Sequence, residues 1–180
     1  MLIRREHSSL LIVDVQDRLT PVMTDPRRVI HACGLLIRFA RRLGVPITAS
    51  EQYPKGLGPT VVDLREAFEP GEVFAKTHFS CADDPALSGR LTALQKPQIV
   101  IAGIEAHVCV LQTALDLRAL DCEVFVVADA CASRRAESEV WAWERLRAAG
   151  VGVVSLEMAL FEWLRQAGTE EFKELSPFLR

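Results

Sequence analysis

Three side chains capable of covalent or proton-transfer chemistry stand just beyond short apolar runs. Asp14 follows Ser9 to Val13, Lys76 follows Val73 to Ala75, and Cys109 lies six residues past Gly103, which closes the run Gln98 to Ala102. A carboxylate beside a thiol can take its proton and later return it to a leaving group, while an ammonium offsets negative charge in a confined site. The spacing predicts that Cys109 falls in the first turn of a helix, where unpaired N–H groups and the helix dipole favour an anion and lower a thiol pKa. The turn Gly103-Ile-Glu-Ala-His-Val-Cys109 also offers backbone N–H groups for a developing oxyanion, as acyl transfer requires. Taken singly, a strand-end Asp is a common turn residue, a Lys a solvated charge and a buried Cys inert packing. Only their coincidence points to chemistry.

The elements that must bring these groups together are legible as alternating patterns. Apolar, β-branched runs recur at Ser9 to Val13, Val45 to Ala49, Val73 to Ala75, Gln98 to Ala102, Glu123 to Val127 and Val151 to Ser155. Most are continuously apolar, which predicts strands covered on both faces of a parallel sheet. Helical spacing lies between them, at Arg27 to Leu43, Pro85 to Leu94, Val108 to Leu120, Ala136 to Ala149 and Met158 to Gln166. This alternation predicts an α/β fold with right-handed crossovers and helices on both faces of the sheet. Ligands in such sheets bind outside the carboxyl ends of the strands, where Asp14, Lys76 and Cys109 would meet. The Gly- and Pro-rich stretch Glu51 to Thr60 predicts a loop over that end, and not a helix.

Composition narrows the function classes. The 180 residues are 49% hydrophobic and 25% charged, which suits one globular domain over residues 1–180. No apolar run approaches the ~18–20 residues of a bilayer-crossing helix, so no membrane partner is expected. The net charge of −3 and the absence of a like-charge block argue against nucleic acid. Five cysteines without a C-x-x-C pair read as reduced thiols, and an amino terminus without a signal-type stretch adds to a cytoplasmic expectation. Cys33, Cys122 and Cys131 read as structural, and Cys81 as a pocket-lining or loop thiol. Trp141, Trp143 and Trp163, with Leu160, Phe161 and Phe172, are candidates for packing or subunit contacts.

Asp14-Val-Gln16, the loop Glu51-Gln-Tyr-Pro-Lys-Gly-Leu-Gly58, Lys76 and the segment Gly103-Ile-Glu-Ala-His-Val-Cys109 together resemble the isochorismatase-like cysteine hydrolase superfamily. The similarity runs from about Ser8 to Glu157 and is closest to the isochorismatase domain-containing proteins. It implies a three-layer Rossmann-like fold, a catalytic triad of Asp14, Lys76 and Cys109, and a homo-oligomer. It also implies a cis peptide between Ile104 and Glu105, with the N–H groups of Glu105 and Cys109 forming an oxyanion hole.

One departure bears on cofactors. Nicotinamidases of the superfamily carry Asp-x-His after the second strand as part of a metal site, whereas this chain has Glu51-Gln-Tyr53. Tyrosine is a poor replacement for an imidazole ligand, so neither a catalytic metal nor another cofactor is expected. The resulting expectation is a metal-independent hydrolase of a small amide-like substrate, acting through a Cys109 thioester. Gln16, Tyr53, His78 and His107 are candidate pocket-wall residues. The alternatives are a noncatalytic ligand- or partner-binding protein that retains the fold, and a redox role for Cys109, for which the sequence offers no resolving C-x-x-C partner.

Overall fold

In the computed structural model, which describes residues 1–179, every side chain of the first strand, Ser8–Val13 (β1), is buried, as its unbroken apolar run requires. The chain continues through Pro26–Leu43 (α1), Ile47–Gln52 (β2), the short turns Pro54–Leu57 (α2) and Val62–Arg65 (α3), and Val73–Lys76 (β3). Pro85–Ala93 (α4), Gln98–Ile104 (β4), Leu111–Ala119 (α5) and Glu123–Ala132 (β5) follow, then Ala136–Ala148 (α6), Gly152–Val154 (β6), Leu156–Leu164 (α7) and Glu170–Leu175 (α8). The six strands form one parallel sheet in the order β3-β2-β1-β4-β5-β6.

Helix boundaries follow local chemistry. The Asp25 side chain caps α1 by accepting from Arg28 N at 3.2 Å, Pro26 occupies the first turn, and Gly44 ends the helix at φ 71°. Alternate strand residues then sort into two cores. Leu10, Ile12, Val100 and Ala102 pack under α1, α7 and α8, with Phe39 and Trp163. Leu11, Val13, Ile99 and Ile101 pack under α4, α5 and α6, with Leu87, Leu117 and Leu146. The sheet with its two helical layers is the three-layer α/β arrangement that the alternation predicts.

The order of strands reverses between β1 and β4, and crevices at the carboxyl ends open at such a switch point. Gly103 marks the closest approach there: at φ +119°, a Cβ would lie 2.1 Å from Val13 O.

Several boundaries differ from the sequence expectation. The Glu51 to Thr60 stretch is not wholly a loop: Pro54 starts a helical turn after a left-handed Tyr53, and Gly58 at φ 77° ends it. Helix α8, capped by Thr169, has too short an apolar pattern to announce itself. Leu160 and Trp163 are fully buried, so these two are not subunit contacts; Phe172 packs against the first core but is only partly buried, and Trp141 and Phe161 are exposed.

Candidate active site

Asp14 ends β1 in the left-handed region, φ 53°, a conformation that Asp tolerates better than most residues. Its backbone N donates to Ser50 O at 3.1 Å, tying it to β2. Both carboxylate oxygens are engaged: Oδ1 accepts from Ser50 Oγ at 2.6 Å and Oδ2 from Lys76 Nζ at 2.8 Å. The two charged side chains are completely sealed from solvent. Such a pair persists because each ion has its counter-charge and its remaining hydrogen bonds. Lys76 Nζ also donates to Gln52 Oε1 at 2.5 Å, His78 O at 3.1 Å and Phe79 O at 3.3 Å. Burial disfavours the ammonium and is the largest single influence, but Asp14 together with the Cys109 and Cys81 sulfurs offsets it and the Lys76 pKa stays above its ordinary value.

Cys109 enters from the other side of the switch point. The bond Ile104–Glu105 is cis, and a π-type turn, Ala106–Val110, carries the cysteine toward α5. The thiol is thus presented by that turn ahead of α5, and not by the first turn of a regular α-helix. Burial and the nearby Asp14 charge push its pKa well above the ordinary thiol range, against the opposing pull of Lys76. This direction is opposite to the lowering that a helix start alone predicts.

Cys81 lies in the same core, fully buried, with its N–H donating to Thr113 Oγ1 at 2.9 Å. Burial and the Asp14 charge push its thiol up to about 11. Glu105 is buried and accepts from Arg134 N at 3.2 Å and Arg134 Nε at 3.0 Å, which anchors the turn to the end of β5.

The four pocket-wall candidates separate. Gln16 is fully buried, and both ends of its amide serve backbone: Nε2 donates to Gln52 O at 3.0 Å and Gly58 O at 2.7 Å, while Oε1 accepts from Gln52 N at 2.7 Å. These bonds clip the loop that follows β2 to the end of the strand. The Tyr53 ring covers Gly56 and is 56% exposed, beside a cleft of about 330 Å³ that Lys76 and Asp84 also line. The His78 imidazole turns toward Asp84, Nδ1 to Oδ2 3.7 Å, so only its carbonyl reaches Lys76. His107 Nδ1 pairs with Ser133 Oγ at 2.8 Å on the β5 side. Sequence reasoning missed Ser50 and Gln52. Both are neutral residues inside β2, and their only signal was position, at the carboxyl end of a strand next to β1.

The residues at the carboxyl end of β2, Glu51 to Tyr53, do not fit a metal. The Glu51 carboxylate accepts from Thr60 N at 2.6 Å and Thr60 Oγ1 at 2.8 Å, Gln52 is an amide, and Tyr53 points its ring over Gly56.

Architecture and site together define a three-layer α/β protein with its polar cluster at the strand-order reversal. The chain belongs to the isochorismatase domain family, whose pattern matches residues 8–158. It is 34% identical over 177 residues to the isochorismatase domain-containing protein 2A of Mus musculus, covering 97% of this chain and 84% of the relative. Among solved structures it is similar to one described as the MAR1 ribonuclease of Caenorhabditis elegans, with TM-score 0.92, 33% identity and coverage of 99% and 92% of the two chains. It is also similar to YcaC from Pseudomonas aeruginosa, described with hexane-2,5-diol and covalent acrylamide, with TM-score 0.92, 25% identity and coverage of 98% and 91%.

Proposed function

We propose that this single-domain protein is a metal-independent cysteine hydrolase of a small amide-like substrate, with Cys109 as nucleophile, Asp14 as proton carrier and Lys76 as fixed counter-charge. The observation that carries the reading is the sealed Asp14–Lys76 pair, 2.8 Å apart, near enough to the buried Cys109 thiol for both charges to act on it. Asp14 takes the thiol proton as sulfur attacks the carbonyl carbon, and the electron pair moves to the carbonyl oxygen. The N–H groups of Glu105 and Cys109 receive that oxyanion. As the tetrahedral species collapses, Asp14 returns the proton to the departing amine, leaving a thioester. Water then gives a proton to Asp14, attacks the thioester, and restores the acid product and the thiol.

Burial of the reacting groups supports a small substrate and not a polymer, and a chain of net charge −3 is poorly suited to a polyanion. The covalent acrylamide described for the P. aeruginosa relative is compatible with a nucleophile in this fold. Self-association belongs to the same reading; Trp141, 63% exposed on α6, is the residue through which to test it, by the elution volume of Trp141→Glu. A hydrolysis screen over small amides and over single-stranded RNA tests the proposal. Release of amine from at least one amide, abolished in Cys109→Ala, is the expected result; RNA cleavage that survives in Cys109→Ala would refute it.

A further inference from the structure

Lys76 is held by more acceptors than it has protons, and they differ in kind. Asp14 supplies charge from β1, the carbonyls of His78 and Phe79 come from the segment after β3, and Gln52 Oε1 comes from β2 at 2.5 Å. We propose that Gln52 is a positioning residue of this site: its side-chain oxygen aims the Lys76 ammonium at Asp14, and its neutrality leaves Asp14 without a rival carboxylate. The inference rests on the roles just assigned to Cys109, Asp14 and Lys76, and adds to them the group that keeps the counter-charge in place.

The amide of Gln52 has one workable orientation. Nε2 donates to Thr77 O at 2.9 Å, so Oε1 is the end turned to Lys76; a flip would set donor against ammonium and oxygen against carbonyl. Its backbone is equally fixed, since Gln16 binds both Gln52 N and Gln52 O. The same Gln16 amide holds Gly58 O, so the loop carrying Tyr53 and the acceptor for Lys76 are set by one side chain. Without Oε1, the ammonium would depend on Asp14 and on two carbonyls of the 77–79 segment.

Charge is the second half of the inference. The charged or titratable groups facing Lys76 are Asp14 from β1, Cys81 from the segment after β3 and Cys109 from the turn before α5. While both thiols are protonated, the cluster of one carboxylate and one ammonium is neutral. A carboxylate at position 52 would draw the ammonium from Asp14 and add negative charge, which opposes ionisation of Cys109.

Two measurements test this. The first is the pH dependence of Cys109 alkylation by iodoacetamide in wild type, Gln52→Glu and Gln52→Met, each corrected with the corresponding Cys109→Ala protein. Alkylation in Gln52→Glu should be at least about tenfold slower at every pH on the rising limb, equivalent to one pH unit. Equal rates for Gln52→Glu and wild type would overturn the inference. The second is the 15N-ammonium spectrum of protein labelled at lysine. Wild type should show a slowly exchanging resonance that disappears in Lys76→Met and is lost or broadened in Gln52→Met. An unchanged resonance in Gln52→Met would also overturn the inference, and this readout decides the matter if Gln52→Glu fails to fold. If wild type and Cys109→Ala alkylate alike, the assignment of the nucleophile fails instead, while the ammonium spectrum still judges Gln52.

Discussion

The two helical layers bury cysteines in different company. Beneath α1, α7 and α8, Cys33 is enclosed by apolar side chains, and its one polar contact is a long donation to Ala130 O at 3.7 Å. Beneath α4, α5 and α6, Cys109 is also buried, yet it faces Asp14 and Lys76 across the gap between β1 and β4. Burial raises the pKa of both thiols, Cys33 to about 12. What separates them is a nearby base: Cys33 has no carboxylate beside it, whereas in the proposed mechanism Cys109 hands its proton to a carboxylate whose own charge is balanced. A low resting pKa is therefore not what would make Cys109 reactive. The machinery lies in where its proton goes.

Substitutions can break this contrast in order of size. Cys109→Ala should lower amide turnover by about 10⁴-fold or more, checked by steady-state amine release, because the nucleophile has no substitute. Cys33→Ala should leave turnover within about twofold, since a methyl-sized change in the other core touches no reacting group.

Lys76→Met tests the ion pair. It leaves the Asp14 carboxylate buried without its partner and should cost about 3–5 kcal/mol in urea unfolding. Combining it with Asp14→Asn should recover part of that stability but none of the turnover, which separates the pair's structural part from its chemical one.

The smallest effect is on alkaline stability. A thiol with a raised folded pKa stabilises the fold in full below its unfolded value, near 9, and that contribution is lost as pH climbs toward the folded value, about 12 for Cys33 and about 11 for Cys81. Urea midpoints should fall between pH 9 and pH 11. In Cys33→Ala the fall should be shallower by about 1 kcal/mol at pH 10, the equivalent of roughly one pKa unit.

Much of this architecture can be read from the chain. Continuous apolar runs such as Ser9 to Val13 and Gln98 to Ala102 identify strands buried on both faces, and the rule that ligands meet the carboxyl ends singles out Asp14, Lys76 and Cys109. Ser50 and Gln52 escape notice because neutral polar residues in a strand carry no periodic or charge signal. Their importance arises from the β1–β2 register, which sets Val13 opposite Ser50. Gln16 stands out as the polar residue after Asp14, but its amide is consumed by Gln52 and Gly58, partners that a sequence cannot display. The raised pKa of the Cys109 thiol is illegible for a related reason. A helix-start position argues for a lowered pKa, whereas three-dimensional burial and the Asp14 charge push the other way and win.

The central claim is covalent, and intact-mass spectrometry of the enzyme quenched during amide turnover tests it most directly. Wild type should gain the mass of the acyl group, and peptide mapping should put that mass on Cys109, with none accumulating in Cys109→Ala. An acyl adduct mapped to Cys81 or any other residue, or undiminished amide hydrolysis by Cys109→Ala, would contradict the account.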